Sequence, residues 1–326
     1  FLNVESKNQF VNEDLSIVKD NLSVEMEKVK EFINLKNNEE AITVLENCKK
    51  IIEGYGKKVL FSEISNETNN INQLFLKSEV LPEITIVLGG DGTVLRAARY
   101  LSPKNIPILS FNVGGNLGFL THDRQILKQA TFWERVTNNR FNIQKRMMLE
   151  ATVFREKNNN ETTIKKSFFA LNDFYLRSCT DEIAPTCSLA LEIDGEAVDR
   201  YKGDGLIFST PTGSTAYSMA AGGPIIHPSL DAIIVSAICP MSLASRPIVV
   251  PPESQLVIKP IRGMKQKIKL WLDGSSGCLI EAEDTCLIKK SNHSTSIIIL
   301  DENHSYYKTI TQKLHWASSL NDPNKQ

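Results

Sequence analysis

The stretch Ile84-Thr85-Ile86-Val87-Leu88-Gly89-Gly90-Asp91-Gly92-Thr93-Val94-Leu95-Arg96-Ala97-Ala98 runs from an apolar segment into a glycine turn tipped by one carboxylate, then into a helical pattern. Residues 84–88 read as a buried strand. A strand that breaks into such a turn marks the edge of an α/β sheet where ligands settle. Gly89, Gly90 and Gly92 let a phosphate or sugar come close to the main chain. Thr93 is placed to cap the helix that follows, whose first N–H groups favour an anion. Taken alone, the same residues would also make a plain tight turn in a doubly wound sheet.

A second apolar run, residues 106–111, ends in Asn112-Val113-Gly114-Gly115-Asn116-Leu117-Gly118-Phe119. Two strand-to-glycine junctions in succession are a βαβ signature and predict a parallel sheet. Upstream, residues 14–35 read as a charged amphipathic helix, 39–53 as a second helix, 58–64 as a short strand and the Asn-rich 65–72 as a loop. From about Phe141 the texture turns to alternation over 149–154, 167–176, 189–193, 205–209, 248–250, 255–258 and 267–272, which predicts an all-β region. Tyr306, Ile310 and Leu314 stand at helical spacing in 305–316. The expected fold class is α/β plus all-β. A doubly wound α/β domain covers 1–145, a β-sandwich-like domain 146–300, and a helix returning to the body with a mobile tail 301–326.

At 326 residues the chain exceeds what one core usually fills, so two domains are expected. Lys and Arg number 37 against 38 Asp and Glu, a net charge of -1, which provides no global basic field for nucleic acid. The six cysteines form no C-x-x-C pair and have no histidines at ligand spacing. They read as reduced thiols, and no protein metal-ligand set is assigned. No apolar run approaches the ~20 residues that span a bilayer, so no membrane partner is expected. Glu5, Lys7, Glu13 and Asp14 stand where a signal peptide would be apolar, so the expected location is cytoplasmic. Residue 1 is Phe, so the sequence is expected to begin inside a longer product.

The other informative segment is Gly203-Asp204-Gly205-Leu206-Ile207-Phe208-Ser209-Thr210-Pro211-Thr212-Gly213-Ser214-Thr215-Ala216-Tyr217-Ser218, continuing to Pro224 as MAAGGP. A strand feeds a loop of small hydroxyl residues and glycines, whose O–H and N–H groups can surround a sugar or phosphate. As chemistry alone it could equally be a Ser/Thr-capped helix start with no ligand.

GGDGT, NVGGNLGF, LND, GDGLIFSTPTGSTAYS with AAGGP, and SRPIVVP occur here in the order and approximate spacing of the NAD kinases. Those enzymes phosphorylate the adenosine 2′-hydroxyl of NAD with ATP to give NADP. The resemblance runs from about Ile84 to Val250, with a weaker match in YYKTITQKLHW at 306–316. GGDGT is shared with lipid kinases of the diacylglycerol and sphingosine type, whereas the TPTGSTAYS segment combined with the N-x-G-x-x-LGF-like spacing is far more specific to NAD kinases.

The resemblance implies roles residue by residue. Asp91 matches the aspartate taken to accept the 2′-hydroxyl proton. Gly89, Gly90, Gly92 and Thr93 would line the phosphates, with Arg96 as a nearby charge, and Phe119 in the LGF segment would stand near the nucleotide. Asn172 and Asp173 match a pair expected on the adenosine ribose, although the family usually has Glu at the second position. Asp204 is expected toward the nicotinamide end, with Lys202 as a basic contact. Thr212, Thr215, Ala216, Tyr217 and Ser218 match the dinucleotide loop. NAD and ATP are the implied substrates, Mg²⁺ is implied with ATP and held largely by its phosphates, and a homo-oligomer, dimer or tetramer, is implied as the assembly. Two further departures stand out. Met241 occupies a stretch where the family often has His, and Ser275 follows Trp271-Leu272-Asp273-Gly274 where the family frequently has Gln. The rival readings are a lipid kinase sharing only the Asp91 turn and a non-catalytic NAD(P)-binding sensor.

Overall fold

A computed structural model of the protein describes residues 28–33, 39–63, 81–113, 118–156, 162–179, 186–261, 267–300 and 305–316. The chain divides into two compact units, one made of residues 1–144 and 296–326, the other of 145–295.

The first unit opens with strand β1 (Lys28–Ile33), helix α1 (Glu39–Gly54), β2 (Lys58–Glu63) and β3 (Ile84–Leu88). Helix α2 (Asp91–Leu101), β4 (Ile108–Asn112), the short β5 (His122–Asp123) and α3 (Ala130–Thr137) follow. β1 pairs in parallel with both β2 and β3, and β3 with β4. β3 and β4 are buried along their whole length, as a sheet covered on both faces requires. Leu45, Cys48 and Ile52 of α1 and Phe132, Trp133 and Val136 of α3 pack with Ile84, Ile86 and Leu88. Helix α2, with Val94, Ala97, Ala98 and Leu101 buried, packs against β1, β3 and β4. This is the doubly wound α/β arrangement.

One expectation fails here. The helix read over 14–35 does not hold at 28–33, which form β1; residues 14–27, 34 and 35 lie outside the described residues. Val29-Lys30-Glu31-Phe32-Ile33 fits a strand period as well as a helical one, and parallel pairing to both neighbours selects the strand. The loop expected at 65–72 also lies outside the described residues.

The second unit is a sandwich of two sheets. Its strands are β6 (Asn142–Glu156), β7 (Thr162–Ala170), β8 (Asp173–Ser178), β9 (Cys187–Ile193), β10 (Glu196–Gly203) and β11 (Gly205–Ser209). A single 3₁₀ turn (Thr212–Thr215) and the one-turn helix α4 (Tyr217–Ala220) lead to β12 (Ile233–Ile238) and β13 (Ile248–Val250). β14 (Leu256–Pro260), β15 (Ile268–Leu272), β16 (Ser275–Ile280) and β17 (Asp284–Ile299) complete it. One sheet runs β13-β12-β11-β8-β15-β16; in the other, β10-β9-β14-β17 are joined by β6 and β7. The alternating burial of β14 and β15 is that of strands with one core face, and Phe174, Leu176, Leu206, Phe208, Leu256, Ile258 and Leu270 share a core. The single strand read over 167–176 is two strands, broken at Leu171–Asn172.

Beyond this unit the last residues of β17 return to the first, where Ile297 pairs in parallel with Ile108 of β4. Helix α5 (Tyr306–Lys313) follows, capped by Ser305 and with Ile310 buried; residues 317–326 lie outside the described residues.

Candidate functional site

In the α/β unit the candidate residues gather at the end of β3. Helix α2 starts at Asp91 itself, with Gly90 as its N-cap. Thr93 is therefore not the cap; it is buried in the first turn against Gly89. The cap moves forward because Gly is accepted at that position and an Asp in the first turn suits the positive end of the helix. A Cβ on Gly89 would fall inside contact with the Thr93 side chain, so packing alone demands glycine there. At Gly90 and Gly92 a Cβ would meet no atom of the described residues within 4 Å, so among those residues the turn is open outward.

The Asp91 carboxylate reaches back to the second glycine junction. Its Oδ2 accepts from the Phe119 N–H at 2.8 Å and its Oδ1 from the Leu120 N–H at 3.1 Å. That segment is itself fastened, because the Ser110 hydroxyl donates to the Leu120 carbonyl and the Gly118 N–H to Thr121 Oγ1 at 3.3 Å. A Cβ on Gly118 would collide with the Asp91 carboxylate, so Gly118 is what lets the carboxylate sit where it does. Phe119 thus enters through its main chain. Burial raises the Asp91 pKa above the ordinary carboxylate value, while the two N–H bonds and the Lys313 ammonium pull against it. Lys313, in α5, was not among the sequence candidates; only its place as the basic residue in the last turn of a tail helix hinted at it. Arg96 is half-buried one turn beyond Asp91, and burial and the neighbouring Arg99 lower its pKa.

In the β unit, Asn172 and Asp173 stand at the bend between β7 and β8. Asp273 fastens this bend from one side, accepting from the N–H groups of Leu171 at 3.2 Å, Asn172 at 2.7 Å and Asp173 at 3.1 Å. Thr210 fastens it from the other, giving its N–H to the Asn172 carbonyl at 2.9 Å and its hydroxyl to the Leu171 carbonyl at 2.6 Å. A Cβ on Gly213 would strike the Asn172 carbonyl, so the hydroxyl loop packs directly on the bend. The Asn172 Oδ1 is buried without a partner among the described residues, and Asp173 is buried.

Thr212, Thr215, Ala216 and Tyr217 are half-buried on the loop, and the Tyr217 ring meets Tyr175 edge-on at 5.0 Å, which in turn stacks on Trp271 at 5.9 Å. Ser218 is fully buried and its hydroxyl pairs with that of Ser236 at 3.2 Å, a packing contact. Lys202 is exposed and Asp204 half-buried at the far end of β11 from Thr210. Five residues of strand separate Asp204 from Thr210, about 20 Å at the usual rise. Met241 donates its N–H to the Lys202 carbonyl at 2.9 Å, and its side chain is exposed. His227 hydrogen-bonds locally to Ser229. Ser275, half-buried, opens β16.

Among the described residues no three His, Cys, Asp or Glu side chains are gathered as a metal-ligand group, and no helix is long and apolar enough to cross a membrane.

Comparison with known proteins bears on this geometry. Residues 11–141 match the model of the ATP-NAD kinase N-terminal domain and residues 171–300 that of the ATP-NAD kinase C-terminal domain. NAD kinase 1 of Prochlorococcus marinus (strain NATL2A) is 99% identical over 280 residues, covering 86% of this chain and 93% of that protein. NAD kinase 1 of Synechocystis sp. (strain ATCC 27184 / PCC 6803 / Kazusa) is 40% identical, covering 86% and 92%. Among solved structures, yeast NADH kinase complexed with NADH superposes with a TM-score of 0.76 at 26% identity, covering 90% of this chain and 88% of that one. An NAD kinase from Archaeoglobus fulgidus in complex with ATP shares the fold, with a TM-score of 0.64 at 21% identity, covering 89% and 99%.

Proposed function

The chain belongs to the ATP-NAD kinase family, and from that premise we propose how its residues carry out ATP-dependent phosphorylation of NAD to NADP. Asp91 is the general base. The observation that carries this reading is its carboxylate, half-buried and held among the described residues by two backbone N–H groups. An ionised carboxylate offers about four acceptor positions, so each oxygen keeps one for a substrate hydroxyl. As the 2′-oxygen of the adenosine ribose attacks the γ-phosphorus, its proton passes to Asp91, the bond from the γ-phosphorus to the β-phosphate oxygen breaks, and ADP departs. A base so placed contributes about 10²–10⁴-fold, and a raised pKa brings it nearer the working pH.

Phosphoryl transfer otherwise needs positioning and charge neutralisation. The open turn at Gly90 and Gly92 leaves main chain free for phosphate oxygens, and Arg96 supplies a charge. Among the described residues no carboxylate or imidazole cluster is gathered, and a Mg²⁺ in this reading would arrive on the ATP phosphates and neutralise their charge.

The β unit supplies the dinucleotide contacts in this reading. Asn172 Oδ1, with no partner among the described residues, accepts from a ribose hydroxyl, and Asp173 acts beside it. Asp is shorter than Glu by one bond, about 1.5 Å, a gap that a bridging water spans. Lys202 and Asp204 serve the nicotinamide end, and Thr212, Thr215, Ala216 and Tyr217 form the loop between, with the buried Ser218 packed beneath it. A homo-oligomeric assembly in the cytoplasm completes the proposal on the resemblance alone.

The purified protein given NAD, ATP and Mg²⁺ is expected to form NADP while sphingosine, ceramide and diacylglycerol stay unlabelled. ATP-dependent labelling of a lipid with NAD untouched would overturn the assignment.

A further inference from the structure

Asp273 lies outside every residue assigned above. It occupies the two-residue turn joining β15 to β16, where Leu272 pairs with Ser275 and both central residues have positive φ, 45° at Asp273 and 75° at Gly274. This is the Asp-Gly hairpin turn whose twist matches that of the flanking strands, so the position of the Asp273 Cα is tightly set. β15 is also the direct neighbour of β8, with Leu272 opposite Phe174, which brings the turn beside the Asn172–Asp173 bend. There its carboxylate accepts three successive N–H groups, and its own N–H donates to the Asp173 carbonyl at 3.0 Å.

We propose that Asp273 is a positioning residue for substrate: it holds the main chain of the bend so that the Asn172 and Asp173 side chains point at the ribose. The proposal rests on the reading of that pair as an NAD contact. With the carbonyls of the bend held by Thr210 and Ser209 and its N–H groups by Asp273, the Asn172 Oδ1 is left buried at the bend with no partner among the described residues. A main chain fastened on both sides, around one side-chain oxygen with nothing to bind, is the form of a contact prepared for a ligand. Asp273 touches no reacting atom in this account. Its effect is therefore on NAD affinity, and ATP handling is left alone.

The test is steady-state kinetics on the full chain with Asp273→Ala, Asp273→Asn, Asn172→Ala and the Asn172→Ala/Asp273→Ala double variant. Asp273→Ala is expected to raise KM for NAD about tenfold or more, with KM for ATP within about twofold of the parent. Asp273→Asn should fall between them, because a retained Oδ1 still accepts from Asn172 and Asp173. The double variant should be no worse than the worse single one, since the two residues act on the same contact. A KM for NAD within twofold of the parent in Asp273→Ala, or fully additive effects, would overturn the proposal. Should the Ala variant fail to fold, Asp273→Asn carries the same criterion. An unchanged KM for NAD in Asn172→Ala would sink the reading of the pair and the proposal together, whereas a raised value beside a silent Asp273 would sink the proposal alone.

Discussion

Two carboxylates in this molecule are each fastened to consecutive backbone N–H groups, and they do opposite things. Asp91 accepts two such bonds, from Phe119 and Leu120; Asp273 accepts three, from Leu171, Asn172 and Asp173. At Asp91 the loop supports the carboxylate, and at the neighbouring Gly90 and Gly92 a Cβ would meet no described atom within 4 Å. At Asp273 the carboxylate supports the loop, and the working side chain is that of Asn172, whose Oδ1 has no partner among the described residues. A backbone-bound carboxylate is thus not diagnostic of a base. What separates the two is the space beside them and which neighbour is left with an unmet hydrogen-bonding group.

The sharpest way to break the contrast is Asp91→Asn. It keeps size and the acceptor oxygen but removes the base, so kcat for NADP formation should fall about 10²-fold or more while KM for NAD stays within about threefold. A variant within fivefold of the parent in kcat would show that Asp91 only closes a turn.

A smaller effect is expected from Gly118→Ala. The added methyl would overlap the Asp91 carboxylate and displace it, so kcat should drop about tenfold, the order of loss that misplaced catalytic groups bring, with affinity for NAD little changed. An unaltered kcat would mean that the carboxylate need not sit against the second glycine junction.

The smallest effect concerns pH. The Lys313 cation lowers the Asp91 pKa, so Lys313→Ala should raise it further and move the acid limb of kcat/KM upward, with the plateau retained. The base works ionised, so activity is present above that limb and lost as pH falls through it. A limb that stays put or moves down would dissociate Lys313 from Asp91.

The parts of this architecture that were legible in the sequence are those whose signal is local. The β3 strand, its glycine turn and α2 could be read because a short buried run, glycines and a helical pattern follow one another within residues 84–101. The break between β7 and β8 could not, because it is imposed by Thr210 and Asp273, far along the chain. β10 was missed since six of its eight residues, Glu196 to Arg200 and Lys202, are exposed and carry no apolar alternation. Ile233–Ile238 was missed for the opposite reason: six mostly apolar residues do not by themselves distinguish a buried strand from a helix. At the site, the motif glycines looked alike in sequence, yet Gly89 and Gly118 answer to packing and Gly90 and Gly92 do not. Lys313 and Asp273 matter only through partners distant in sequence, although the Asp-Gly hairpin signal at 273–274 was there to be read.

The central claim, that Asp91 takes the proton of one particular hydroxyl, is tested most directly by replacing NAD with 2′-deoxy-NAD in the ATP-dependent reaction. The account predicts that the analogue competes with NAD for binding yet yields no phosphorylated dinucleotide, even at long incubation with parent enzyme. Phosphorylation of the analogue at any other position would contradict it.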